Sequence, residues 1–346
     1  WARTYAVICF LLTQLARMGS IFFGIGLTLK ALTGYSMPAI MIVMGVCIII
    51  YTVLGGMAAV IWTEVLQAVL ITAGAILILY LVSSGMPEGM SDVIKTGIRE
   101  NKFSLGSYAP DFSRSTFWVV LLYGFFINLS NFGVDQNYVQ RYHTAESSSK
   151  AARSVWMSVW LYVPVSLLFF LIGTSLYAWY QVHPDMLRIV QEQHVREILP
   201  ATSSAEEITQ MAEQLLSSDY GDKIVPHFMV TKIPAGLLGL VISAMLAAAM
   251  STISSGMNAS ATVFAVDIYK KYFRPDAGDR SLLRVLKTVT IVAGILGIIS
   301  GILMIGIKSV LDVWWQLAGI FSGGMLGLFL LGMISKKAGN TEAFIA

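Results

Sequence analysis

Four groups of polar residues stand inside stretches that are otherwise apolar, and each suggests a chemistry. Gln14 and Arg17 lie about midway between Thr4 and Lys30 in the first such stretch. A guanidinium at that depth is costly against hydrocarbon and too far from either surface to snorkel, so it faces an acid or a water-filled cavity. Its planar fork suits a carboxylate. Two partners meet that need: the carboxylate of a bound solute, or a structural acid on a helix that this sequence does not include. The run 125–136 carries Asn128, Ser130, Asn131 and Phe132, and Gly124 and Gly133 also interrupt this otherwise apolar helix. Such a run suits a helix broken at mid-membrane, where freed backbone groups and small amides hold solute. It equally suits a helix that hydrogen-bonds to its neighbours through those amides.

The run 247–260 repeats small residues every four positions, as close helix packing requires. Packing needs no hydroxyls, yet Ser251, Thr252, Ser254 and Ser255 stand together. The Ala248 carbonyl, one turn below Ser251 and Thr252, completes three neutral oxygens on one helix face. That is a part-shell for a small hard cation, to be finished from another helix. Glu64 follows Trp62-Thr63 at the start of a further span. It is either a first-turn acid complementing the helix dipole or, with Ser254 and Ser255, part of a second cation site.

These groups must be held by membrane-spanning helices. Of 346 residues 56% are hydrophobic and only 12% charged, with mean hydropathy +0.72. Soluble domains carry about 25% charge, so a soluble enzyme, a disordered tail and a nucleic-acid binder are excluded. The net charge of +3 is too small for a polyanion partner. Cys9 and Cys47 lie far apart in apolar runs and read as packing residues, not as a disulfide framework or zinc site. The chain opens at Trp1 and is expected to be a fragment. Spans of roughly 20 apolar residues are expected near 4–29, 37–55, 58–83, 116–138, 154–180, 234–266, 288–307 and 313–334, about eight in all, with a tight turn at Gly55-Gly56. The expectation is an all-α polytopic protein of the cell membrane, residues 1–346 forming a single transmembrane domain embedded as a monomer in the lipid bilayer.

Orientation follows the Lys/Arg bias of short flanks. Loop 139–153 carries Arg141, Lys150 and Arg153 against Glu146; loop 267–287 carries six bases, and Lys336 and Lys337 follow the last span. Loop 181–233 holds eight acids against four bases. Even-numbered spans are therefore expected to end in the cytoplasm. Segment 201–218 reads as an extracellular amphipathic helix capped by Ser203 or Ser204, with Glu206 and Glu207 in its first turn.

The run 51–67, Tyr-Thr-Val-Leu-Gly-Gly-Met-Ala-Ala-Val-Ile-Trp-Thr-Glu-Val-Leu-Gln, resembles the signature of the sodium/solute symporter family. The run 135–141, Asp-Gln-Asn-Tyr-Val-Gln-Arg, and the run 250–264 resemble two further family segments in the same order. The resemblance covers essentially the whole chain. It implies a fold of two inverted five-helix repeats, of which the spans present would be core helices three to ten. Core helices one and two and the C-terminal end would be missing, and with them some carbonyls of the main sodium site.

By position, the resemblance implies a principal sodium site at Ala248, Ser251 and Thr252, and a second sodium site at Glu64, Ser254 and Ser255. Members with the second site usually carry Asp where Glu64 stands. Asn128 matches a sugar-contacting asparagine, and Gln316 a substrate glutamine. The sugar members carry a tyrosine–tryptophan pair where Asn131-Phe132 stands, and a lysine where Leu161 stands, which disfavours a plain hexose symporter. Arg17 resembles the arginine with which sialic-acid members hold the substrate carboxylate. The implied activity is sodium-coupled symport of a small organic solute, a carboxylated sugar such as sialic acid, with sodium as the coupling ion and no enzymatic step. A neutral sugar or polyol symporter and a sensory membrane domain are the alternatives.

Overall fold

The computed structural model describes residues 2–200, 203–307, 310–335 and 339; Lys336 and Lys337 lie outside them. Among the described residues the chain is helical throughout its spans and has no strand. The helices are α1 (Ala2–Thr33), α2 (Met37–Ser84), α3 (Met90–Arg99), α4 (Phe117–Gly133), α5 (Gln136–Tyr142), α6 (Ser148–Val182), α7 (Pro184–Ile198), α8 (Ala205–Glu213), α9 (Ser217–Lys232), α10 (Ala235–Val263), α11 (Asp279–Leu303) and α12 (Val310–Ile334). A π-helical stretch, Phe264–Phe273, prolongs α10. Among the described residues six helices are long and apolar enough to cross a membrane, or seven if the bent pair α4–α5 makes one span.

A straight α2 of 48 residues would be about 72 Å long, more than twice the hydrocarbon thickness. Gly56 interrupts it with φ 55° and ψ −153°, a conformation open essentially to glycine alone. The break falls at the expected Gly55-Gly56 turn. Gly56→Ala should therefore cost on the order of 1–3 kcal/mol, read as a lower thermal midpoint in detergent. Gly239→Ala on α10, where an added methyl meets nothing within 4 Å and alanine is the better helix former, should not lower the midpoint.

α1 is the central post, packed against α2, α10, α11 and α12. Met18, Phe22, Met41, Ile48, Ile253 and Met257 fill the junction of α1, α2 and α10 and are fully buried. Close approach there depends on small residues. A methyl on Gly19 would lie 2.3 Å from Ser300 Oγ on α11, the crowding that glycine relieves in helix pairs. A second cluster, around Val82, Trp179, Phe228 and Met229, joins α2, α3, α6 and α9.

The 181–233 segment holds three helices. Ser204 caps α8 in a capping box with Glu207, which settles the choice between the two serines. The expected helix over 201–218 is shorter, because Gln214–Leu216 breaks it before α9 begins. With Cys9 and Cys47 replaced, a cysteine at exposed Ser217 should react with an impermeant maleimide on intact cells. One at Ser147, which caps α6, should react only after the cells are opened. The reverse pattern would invert the orientation.

Candidate functional site

The fourth expected span is divided. α4 ends at Gly133, α5 starts at Gln136, and their axes bend by 47°. Both Val134 and Asp135 N–H groups fall back on the Ser130 carbonyl, at 2.8 and 3.0 Å. Asp135 then caps α5: its Oδ1 accepts from the Asn137 backbone N–H at 2.8 Å and from Asn137 Nδ2 at 2.7 Å. A capping acid at the start of α5 offsets the exposed N–H groups there.

The remaining Asp135 oxygen faces Arg17. Arg17 Nη1 lies 3.6 Å from Asp135 Oδ2, both side chains largely buried. The acid partner is therefore on this chain, rather than on an absent helix, as a structural pair was expected to require. At that separation the contact is ionic without being a good hydrogen bond. A guanidinium offers five N–H donors, and no hydrogen bond from Arg17 is found among the described residues. Its Cζ also lies 5.0 Å from the ring centroid of Trp314 on α12, a cation–π distance. Arg17 borders cavities of about 490, 310, 20 and 700 Å³.

The largest of these lies between α4, α6 and α12, and Asn128, Asn131 and Phe132 line it with Arg17, Trp314 and Trp315. The space of 700 Å³ is within the range of small-molecule sites. Asn128 Nδ2 donates to the Gly124 carbonyl at 2.7 Å, which leaves its side-chain oxygen as an acceptor. Gln316 is exposed and lines none of these cavities; the α12 residues that do so are Trp314, Trp315 and Ala318. Gln14 is fully buried, and neither its Oε1 nor its Nε2 has a hydrogen-bond partner among the described residues.

On α10, Ser251 Oγ and Thr252 Oγ1 donate to the Ala248 carbonyl at 2.9 and 3.3 Å. Both residues line the 310 Å³ cavity with Arg17, and Thr252 also lines the 490 Å³ one. The expected three oxygens thus share one face, and each hydroxyl keeps lone pairs for a cation. Ser255 and Glu64 meet, with Ser255 Oγ donating to Glu64 Oε1. Ser254 is not among the residues lining this cavity; its hydroxyl donates to the Ser251 carbonyl at 3.2 Å. Arg141 reaches the same place from α5, Nη2 lying 2.6 Å from Glu64 Oε1.

Sequence reasoning missed Asp135, Trp314 and Arg141 as site residues. Asp135 carried a usable signal, since it is an acid within an apolar span, two residues after Gly133, as Arg17 is a base within another.

A family model described as the sodium:solute symporter family matches residues 2–346. The chain is similar to the sodium/sialic acid symporter NanT of Aliivibrio fischeri, at 29% identity over 99% of this chain and 63% of that protein. Similarity to SiaT of Proteus mirabilis, also a sodium/sialic acid symporter, is 29% over 99% of this chain and 64% of that one. The sodium/glucose cotransporter of Vibrio parahaemolyticus is 27% identical over 92% of this chain and 57% of its own. A solved Na⁺-coupled sialic acid symporter, substrate-bound and outward-open with a novel Na⁺-site, superposes with TM-score 0.82 at 29% identity, over 99% of this chain and 66% of that one. The chain spans just under two thirds of the length of these relatives, or less.

Proposed function

The chain belongs to the sodium:solute symporter family, and on that premise we propose that it forms the core of a sodium-coupled symporter for a carboxylated sugar of the sialic-acid type. It is a multi-pass membrane protein. Splitting α2 at Gly56 and joining α4 to α5 makes eight spans, which we assign to one monomeric domain and to core helices three to ten of the inverted five-helix repeat. Sodium sits on the Ala248 carbonyl, Ser251 and Thr252. The solute carboxylate lies on Arg17, and its body in the cavity of Asn128, Asn131 and Phe132.

The observation that carries this reading is the position of Arg17, beside the sodium-site hydroxyls on one cavity and the amide-lined pocket on another. Sodium bound next to that junction favours the solute-accepting state, and linkage makes the effect reciprocal. Rocking of α4–α5 about the bend at Asp135 against α1, α2, α10 and α11 then exposes the solute to the other side. One observation favours a neutral solute instead: Asp135 already faces Arg17, and a structural pair needs no acidic ligand. Counterflow by the full-length protein separates the two. Labelled sialic acid should exchange with excess unlabelled sialic acid and not with a neutral hexose or polyol. Exchange with the neutral solutes alone would select the second reading.

A further inference from the structure

Arg141 stands at the C-terminal end of α5, past the bend, and its guanidinium crosses to two other helices. Nη2 lies 2.6 Å from Glu64 Oε1 on α2 and 2.9 Å from Ser255 Oγ on α10. Nη1 donates to the Asn137 carbonyl at 2.7 Å, which fixes the plane of the group on its own helix. Ser255 Oγ in turn donates to the same Glu64 oxygen. The three side chains form a closed triangle beside a 310 Å³ cavity, and Glu64 and Arg141 are each less than a third exposed.

A sodium ion held by Glu64 and Ser255 would compete with this nitrogen for Glu64 Oε1 and Ser255 Oγ. It would also place a second unit positive charge within a few ångströms of the first, where Coulomb repulsion is strongest. A guanidinium cannot lose its proton to make room. The residues expected to form a second sodium site therefore do not fit a sodium ion here.

We propose that the Arg141 guanidinium itself occupies the second cation position, so that transport couples to a single sodium ion. This inference rests on the sodium-coupled reading above. The tethered cation ties α5 to α2 and α10, so movement of α5 relative to that scaffold must carry the charge with it.

The test is the number of sodium ions bound per molecule of purified full-length protein, measured with radioactive sodium. The wild type should bind one, and Ser255→Ala should still bind one, because that hydroxyl serves the guanidinium. Arg141→Gln should bind two, and the double variant Arg141→Gln/Glu64→Gln one again. Two ions in the wild type with one lost in Ser255→Ala would overturn the proposal, as would a folded Arg141→Gln that binds only one. The first two proteins decide the matter even where Arg141→Gln does not fold. No sodium bound by the wild type would instead defeat the sodium-coupled reading from which the proposal starts.

Discussion

Replacing Arg17 by lysine should abolish high-affinity binding of an acidic solute, nearly as completely as replacing it by alanine. Lysine keeps the charge and much of the length but presents a point charge in place of a planar fork, so the two parallel hydrogen bonds to a carboxylate are lost. Losing one partner of a desolvated charged pair costs on the order of 2–5 kcal/mol, which is tens- to thousands-fold in affinity. The amide of the same solute should bind the wild type poorly and be nearly indifferent to Arg17→Ala. The measurement is binding of the acid and its amide to the wild type and Arg17→Ala, with expression followed separately. Asp135 makes the control specific. If Arg17 only neutralises Asp135, Arg17→Ala should express poorly, Asp135→Asn should rescue it, and acid and amide should lose affinity equally.

The double substitution Ser251→Ala/Thr252→Ala should abolish sodium-driven uptake while leaving membrane insertion intact. Both hydroxyls donate only to the Ala248 carbonyl of their own helix, so no bond between helices is broken. Alanine is also the better helix former. The loss is therefore confined to two hydroxyl oxygens on residues that line the cavity. Thr262→Val removes a hydroxyl of the same kind, one that donates to the Asn258 carbonyl at 2.9 Å away from these cavities, and should leave the sodium dependence unchanged. Uptake by the double variant with wild-type sodium dependence would remove the assignment of the ion to this face.

Much of the scaffold was legible because the bilayer forces it. Runs of apolar residues long enough to span must be helical, since no other open structure satisfies its backbone there. The Gly55-Gly56 pair marked the break in α2 for a local reason, as only glycine accepts the dihedral angles found at Gly56. The cap of α8 was equally local, with Ser204 and Glu207 three residues apart. The oxygens of Ala248, Ser251 and Thr252 were visible because helical spacing alone brings them together.

What periodicity did not reveal depends on contacts distant in sequence. Arg141 and Glu64 are 77 residues apart, and no repeat within either helix indicates that they meet. Arg17 was legible as an unsatisfied charge, but its acid was sought outside the chain when Asp135 was on it. Gln316 and Trp314 are two residues apart on α12 and therefore point to nearly opposite faces, and the all-round apolar sequence of that helix does not fix which face meets the cavity. α7 and α9 escaped notice because the polar 181–233 segment lacks the long apolar stripe by which the spans announce themselves.

The most direct measurement is uptake of labelled sialic acid into proteoliposomes holding the full-length protein, with and without an inward sodium gradient. The solute should accumulate above its external concentration only while the gradient lasts, and collapse of the gradient should release it. Accumulation that ignores sodium would contradict the coupling, and sodium-driven accumulation of a neutral hexose with none of sialic acid would contradict the role given to Arg17.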